Sequence, residues 1–466
     1  MNSYNHPIAV VISVIGNFKR WVFLFLIIFF NNKLYGGLAI LGALLVFSIY
    51  GFFNWKRTYF YIEDKNLIYC SGVFSIKRKV IPLEKIITVD FTQSILSRFF
   101  KLYKVKLDTG SQELAMSELD ILLRVDEAED LKAAIFAKKA PIESSGKTFT
   151  VSLKTLTLKA VTGNFILIGL GVLGGFYAFF DDIVNTLKLN IDLFDSAEKY
   201  IENAARGDFF SIVYTAITII LPFVFVALFF SIIATNIRYY GFKIKRSDNK
   251  INIEYGLLSK KKYTLPVEGI NAVTLKQNLF RRLLKMNSIE ASSAGYGDEE
   301  NEEALLFPLA GEKLTAEILN EILPDVVYSG ELKRPPRRAA SMFFIKPIFL
   351  YTSIVLIGSI FKIQIAYALI AIPFIALANF LEYKNSGIGF DSNRVALAYG
   401  AFSYKRVIIP FSKVQVLSKK VSIFQKRKNL CTYIMEFYGG KIGTSATVRN
   451  LEPEYFSELM KNQINT

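Results

Sequence analysis

Three stretches decide how this chain is read: LIYCSGVFSIKRKVIPLEKIITV at residues 67–89, INIEYGLLSKKKYTLPVEGINAV at residues 251–273 and VALAYGAFSYKRVIIPFSKVQVL at residues 395–417. They align without a gap. Gly72, Gly256 and Gly400 coincide, and so do Pro82, Pro266 and Pro410 ten residues on. Between them fall Ser75, Ser259 and Ser403, then the basic pairs Lys77 and Arg78, Lys261 and Lys262, Lys405 and Arg406. Agreement at so many offsets in one register, three times over, marks an internal repeat.

Each copy reads as β. Residues 67–69, 251–253 and 395–397 carry the alternation of a half-buried strand. The glycine then supplies a permissive turn. A second strand follows, and the proline ends it or sits at an edge. Residues 105–107 with Thr109 and Gly110, and 433–437 with Gly439 and Gly440, read as a further hairpin. The first copy is expected to close with a helix over 118–138, where Leu119, Leu122, Leu123, Ala128, Leu131 and Ile135 fall at helical spacing. The second closes over 311–323 and the third over 453–464. The plan is several short strands, then one C-terminal helix.

Before each copy the chain turns apolar. Hydrophobic residues make up 52% of the 466 and charged residues 21%, a mosaic of apolar spans and charged globular parts. A membrane span needs about 20 mostly apolar residues. Residues 36–53, 161–180, 209–235 and 363–381 are uncharged. Pro222 and Pro373 are tolerable in membrane helices. Two weaker arms, 21–30 and 342–361, complete three hairpins and six spans. The first needs Lys19 and Arg20 to snorkel, and the second carries Lys346 and Pro347. A re-entrant pair is the alternative for the first and third hairpins.

Flanking charge sets the orientation. The loop 181–208 has seven acids and three bases. With Lys33 and Lys362 its side totals −2, which leaves +18 of the formal +16 on the other side. The chain is therefore expected in a plasma membrane, multi-pass, with both termini and all three modules cytoplasmic. No small-residue cleavage site follows the first apolar run, so no secretory signal is read.

The chemistry of catalysis is not legible. Cys70 and Cys431 are far apart and have no metal-ligand spacing, so neither a disulfide framework nor a metal site is read. One histidine, His6, cannot activate three repeated serines. No acid sits within the spans, which disfavours a channel or pump. The candidate anion, lipid or partner contacts are Lys77, Arg78, Lys261, Lys262, Lys405, Arg406, Arg98, Arg281 and Arg282. Each such cation contributes about 1 kcal/mol at an anionic lipid surface. The alternative is a solvated strand edge, where lysine discourages aggregation. Residues 94–106, 278–285 and 422–428 mix apolar and basic residues. They are read as interfacial stretches or, preferably, as loops packed on their own module. No nucleic-acid partner is read, because the basic residues are spread as topology alone requires.

The order of hairpin then module resembles the bacterial pleckstrin-homology-like membrane proteins of the YdbT-like type. The resemblance rests on the Gly, Ser, Lys, Lys/Arg and Pro register, on TQSILSRFFKL at 92–102 and KQNLFRRLLKM at 276–286, and on His6 and Pro7. The third copy departs, since KKVSIFQKRKNL at 419–430 lacks the glutamine of Gln93 and Gln277. The resemblance implies an α plus β membrane protein, each module a curved PH-like β-barrel capped by its last helix. The expected division is an interfacial segment 1–20, hairpin 21–53, module 55–140, linker 141–160, hairpin 161–235 with outer loop 181–208, module 236–328, basic linker 329–341, hairpin 342–381 and module 382–466. The expected role is a non-enzymatic scaffold or regulator without cofactors. It would bind anionic inner-leaflet lipids and a membrane protein partner, or a second copy. The alternative is an envelope-stress, antimicrobial-resistance or transport accessory acting through the hairpins.

Overall fold

The computed structural model describes residues 2–86, 88–108, 119–136, 146–163, 209–293, 304–439 and 444–464. A short N-terminal strand, β1 (Asn2–Tyr4), precedes the first hairpin. The first module then holds β2 (Tyr59–Glu63), β3 (Asn66–Ser71), β4 (Lys77–Pro82), β5 (Thr88–Gln93), β6 (Leu102–Asp108) and β7 (Leu119–Arg124). The second is preceded by β8 (Thr148–Thr150) and holds β9 (Lys243–Ser247), β10 (Lys250–Tyr255), β11 (Lys260–Pro266), β12 (Ile270–Asn278), β13 (Met286–Ser293) and β14 (Ala304–Gly311). The third holds β15 (Gly387–Phe390), β16 (Arg394–Tyr399), β17 (Ser403–Pro410), β18 (Val414–Lys420), β19 (Cys431–Phe437) and β20 (Ser445–Leu451). Each module is thus three antiparallel strands, three more, and a helix: Val125–Phe136, Glu312–Ile322 or Tyr455–Ile464.

The helix expected over 118–138 begins only at Val125. Residues 119–124 form β7 instead, with Ile121 and Leu123 turned into the core. Strand pairing with β6 overrides the helical spacing of the leucines. The core lies between the two halves of each module. In the first, Phe60, Leu67 and Ile81 meet Val89, Val105, Leu107 and Leu123, with Ala128 and Leu131 from the final helix. Full burial of one such aliphatic side chain contributes about 1.5–3 kcal/mol.

The repeated glycines have φ of +128°, +110° and +105° at Gly72, Gly256 and Gly400. A Cβ there would lie 2.0, 1.9 or 2.1 Å from the carbonyl oxygen of Ser75, Ser259 or Ser403. Only glycine fits that turn. The repeated prolines end their strands and open short 3-10 turns, Leu83–Lys85, Val267–Gly269 and Phe411–Lys413, which carry the chain to the next half.

The modules are not separate beads. The sheet orders are β1-β2-β3-β4, then β7-β6-β5-β11-β10-β9-β8, then β14-β13-β12-β17-β16-β15, then β18-β19-β20. The second half of one module and the first half of the next therefore form one sheet. The two junctions share a register. Thr92 pairs with Lys261 and Phe91 with Lys262, while Lys276 pairs with Lys405 and Leu275 with Arg406.

A second regularity lies in segments expected to be an interfacial segment and two linkers. Ser3 pairs with Phe60, Phe149 with Ile244 and Lys333 with Ile388. Phe60, Ile244 and Ile388 are equivalent positions, so each first sheet is closed on one side by the chain that precedes its hairpin. The stretch expected as linker 141–160 supplies β8 and most of a helix, Leu153–Val161.

Among the described residues four helices are long and apolar enough to cross a membrane: Lys33–Arg57, Leu221–Tyr239, Arg337–Phe361 and Ile365–Asn385. Helix Ile8–Asn31 runs unbroken through the boundary expected near residue 20. It pairs with Lys33–Arg57, and a Cβ on Gly36 would lie 2.2 Å from the Phe29 Cα, so glycine permits the close turn. One extended residue turns each hairpin described on both arms, Asn32 (φ −150°) in the first and Lys362 (φ −145°) in the third. The arm expected at 161–180 and the outer loop 181–208 lie outside the described residues beyond 163.

Candidate functional site

The three basic pairs occupy equivalent strands in different surroundings. β11 and β17 are each hydrogen-bonded on both edges, so Lys261, Lys262, Lys405 and Arg406 lie half-buried in the joined sheets. Lys276, opposite Lys405, is ion-paired with Glu290 on β13. Arg406 lies over the Tyr328 ring, 5.4 Å from its centroid, and donates to the Tyr328 carbonyl at 3.2 Å. Burial raises the Tyr328 phenol pKa, against the pull of Arg406.

Lys77 and Arg78 are exposed. β4 ends its sheet, and among the described residues no strand pairs with its outer edge. Val80 on that strand is 56% exposed, whereas the equivalent Thr264 and Ile408 are 7% and 1% exposed beneath their junctions. Arg78 donates to the Tyr61 hydroxyl at 2.8 Å.

The three apolar and basic segments form short helices: Ile95–Phe99, Leu279–Leu283 and Ile423–Arg427. Ser94, Asn278 and Ser422 cap them by accepting the backbone N–H three residues on. Two of these helices reach forward into the next module. Arg98 donates to the Leu257 carbonyl, and its equivalent Arg282 donates to Asn385 Oδ1. Asn385 in turn donates to the carbonyls of Gly400 and Ala401 at 2.7 and 3.1 Å. Both arginines thus clamp the turn after the repeated glycine. Arg281 turns back, donating to Thr162 Oγ1 at 3.2 Å.

Those same turns are tied to the ends of the long apolar helices. Arg57 donates to the Val73 carbonyl, and the Leu257 N–H donates to the Ile237 carbonyl at 3.0 Å. Asn385, which ends the last membrane-length helix, holds the third turn. Around these points apolar side chains face outward. Phe74 is 95% exposed, and Phe99 and Leu283 are each 82% exposed. Phe280, Ile423 and Phe424 are exposed as well. The segments therefore do not bury their apolar side on their own modules, as the preferred reading of the sequence had it.

Sequence reasoning missed Lys159, counted only as a flanking charge. Its ammonium donates to the Pro308 carbonyl at 3.1 Å and lies 4.9 Å from the Tyr239 ring centroid. Burial, with Arg281 nearby, pulls its pKa down to about 7. Asn385 was missed too, since nothing local distinguishes it. Among the described residues no cluster of acids, histidine and cysteine could hold a metal.

This chain belongs to the bacterial PH domain family, whose sequence profile matches residues 10–139, 207–325 and 348–464. Each match takes in at least one long apolar helix and the module that follows it, and the first takes in both Ile8–Asn31 and Lys33–Arg57. The chain is similar over nearly its whole length to the UPF0699 transmembrane protein YdbT of Bacillus subtilis (strain 168), at 24% identity over 490 residues, covering 98% of this chain and 97% of that one. It is a transmembrane protein with bacterial PH domains.

Proposed function

We propose that the chain is a non-catalytic membrane scaffold. Six spans in three hairpins hold three PH-like barrels, each capped by its last helix, against the cytoplasmic face of a plasma membrane. The short helices and glycine turns rest in the lipid interface, and the far ends of the array are left for protein partners. The observation that carries this is the location of the exposed apolar and basic side chains, at the turns and short helices fastened to the membrane helices. Aromatic and aliphatic residues beside Arg and Lys favour a headgroup layer over water. Hydrogen-bonded sheets link consecutive modules, which supports one compartment for all three.

The test uses full-length protein in nanodiscs with brominated lipid. Trp21→Phe and Trp55→Phe remove the native signal, and one tryptophan is returned as Phe280→Trp, Phe424→Trp or Asn320→Trp. The reading requires strong quenching at 280 and 424, deepened by anionic lipid, and little at 320 on the final helix of the second module. Equal quenching at all three positions would refute it.

A further inference from the structure

Of the three equivalent strands that carry the repeated basic pairs, β4 alone has an outer edge without a partner among the described residues. Its two counterparts show what such an edge accepts. β11 takes β5 and β17 takes β12, both antiparallel and in one register. The missing strand also leaves one apolar residue uncovered, Val80, while its neighbour Ile68 stays buried. In the third module Ala396 and Ile408 pack into the core of the second. Their equivalents in the first module are Ile68 and Val80, and Val80 stands open to solvent. The other side of this sheet is already closed by β1.

We infer that β4 receives an extended strand from a different protein, with acidic side chains opposite Lys77 and Arg78 and an apolar one near Val80. The charge of the edge selects the occupant. The shared register sets Lys77, Arg78, Lys79 and Val80 opposite four successive residues of an incoming strand. The strand of this chain equivalent to β5 and β12 is β18, also outermost in its sheet among the described residues, and it would bring Lys420 opposite Lys77 and Lys419 opposite Arg78. Like charges directly opposite destabilise a pair. The one lysine pair tolerated at a junction, Lys276 with Lys405, has Glu290 beside it on β13. The position equivalent to Glu290 on β19 is Ile434, which offers no charge. A second copy offering β18 is therefore the disfavoured guest, and an acidic strand the favoured one.

The inference deepens the scaffold reading by naming the partner's chemistry, and it is tested apart from it. The full chain in nanodiscs is mixed with millimolar octapeptide NAVTEEQN, which follows β12 with glutamates at the places facing Lys77 and Arg78. Its twin is NAVTKKQN. Hydrogen exchange is followed along β4. The acidic peptide should slow β4 exchange by at least about fivefold, and the lysine twin should not. Lys77→Glu with Arg78→Glu should reverse the preference, which also shows that the variant is folded. Equal protection by both peptides, or none by either, overturns the inference. So does peptide-free protection of β4 and β18 together that grows with protein concentration, since that is self-pairing. Failure here with the tryptophan depths intact removes the strand partner and leaves the scaffold. Loss of the depth difference removes the scaffold whatever the peptides do.

Discussion

Arg282 donates a hydrogen bond to the side-chain oxygen of Asn385, across the boundary between the second and third modules. The same guanidinium lies 5.1 Å from the centroid of the Tyr404 ring, on the strand that forms the junction. One residue therefore fastens a short helix, the end of a long apolar helix and a strand of the junction. Arg282→Ala should destabilise the third module by about 1.5–3 kcal/mol, the range for a charge-assisted hydrogen bond. Amide exchange at Gly400 and Ala401 should accelerate with it. Arg98→Ala, at an exposed site with a backbone acceptor, should cost less. Equal and negligible effects in both variants would mean the clamps are decorative.

Gly256→Ala should cost more than about 2 kcal/mol, because a side chain at φ +110° is strained and its Cβ would meet the Ser259 carbonyl. The Leu257 turn carries the Arg98 contact and the membrane helix contact, so the damage should reach the first junction. Thermal unfolding in detergent reads the loss, and exchange along β5 reads its spread. A variant with unaltered stability would show that the turn relaxes freely.

Lys159 predicts a pH dependence. Its folded-state pKa is about 7, whereas an unfolded chain holds the proton to about 10.4. Between those values the unfolded state binds more protons, so this group makes stability rise with pH from about 7 toward 10 and contributes no slope below. Lys159→Met should flatten the rise relative to the parent, whatever it does to the absolute midpoint through the orphaned Pro308 carbonyl. Parallel stability curves for parent and variant over pH 6–10 would contradict the burial.

Much of this architecture was legible in one dimension. The repeated glycine and proline positions are set by local backbone demands, and uncharged runs of span length read directly. What stayed hidden is long-range. Lys77, Lys261 and Lys405 look alike in sequence, yet only the first stands at an open edge, because edge pairing depends on which strand arrives from the neighbouring module. β8 is three residues long, too short for alternation to show. The helix Ile8–Asn31 passes through Lys19 and Arg20 because its backbone hydrogen bonds are local and indifferent to those charges. Leu119, Leu122 and Leu123 suit a helix by spacing, but β6 offers them a strand partner.

The most direct measurement of the joined array is disulfide trapping across its two seams. In a background of Cys70→Ala and Cys431→Ala, the pairs Thr92→Cys with Lys261→Cys and Thr274→Cys with Val407→Cys place sulfurs on directly opposed residues. Such pairs have Cα separations of about 4.5–5.5 Å, within disulfide reach. Mild oxidation in intact membranes should lock both pairs within one chain at high yield, while Thr92→Cys with Val407→Cys stays reduced. Unlinked seams, with the turns at 72, 256 and 400 labelled from opposite faces of the bilayer, would contradict the array outright.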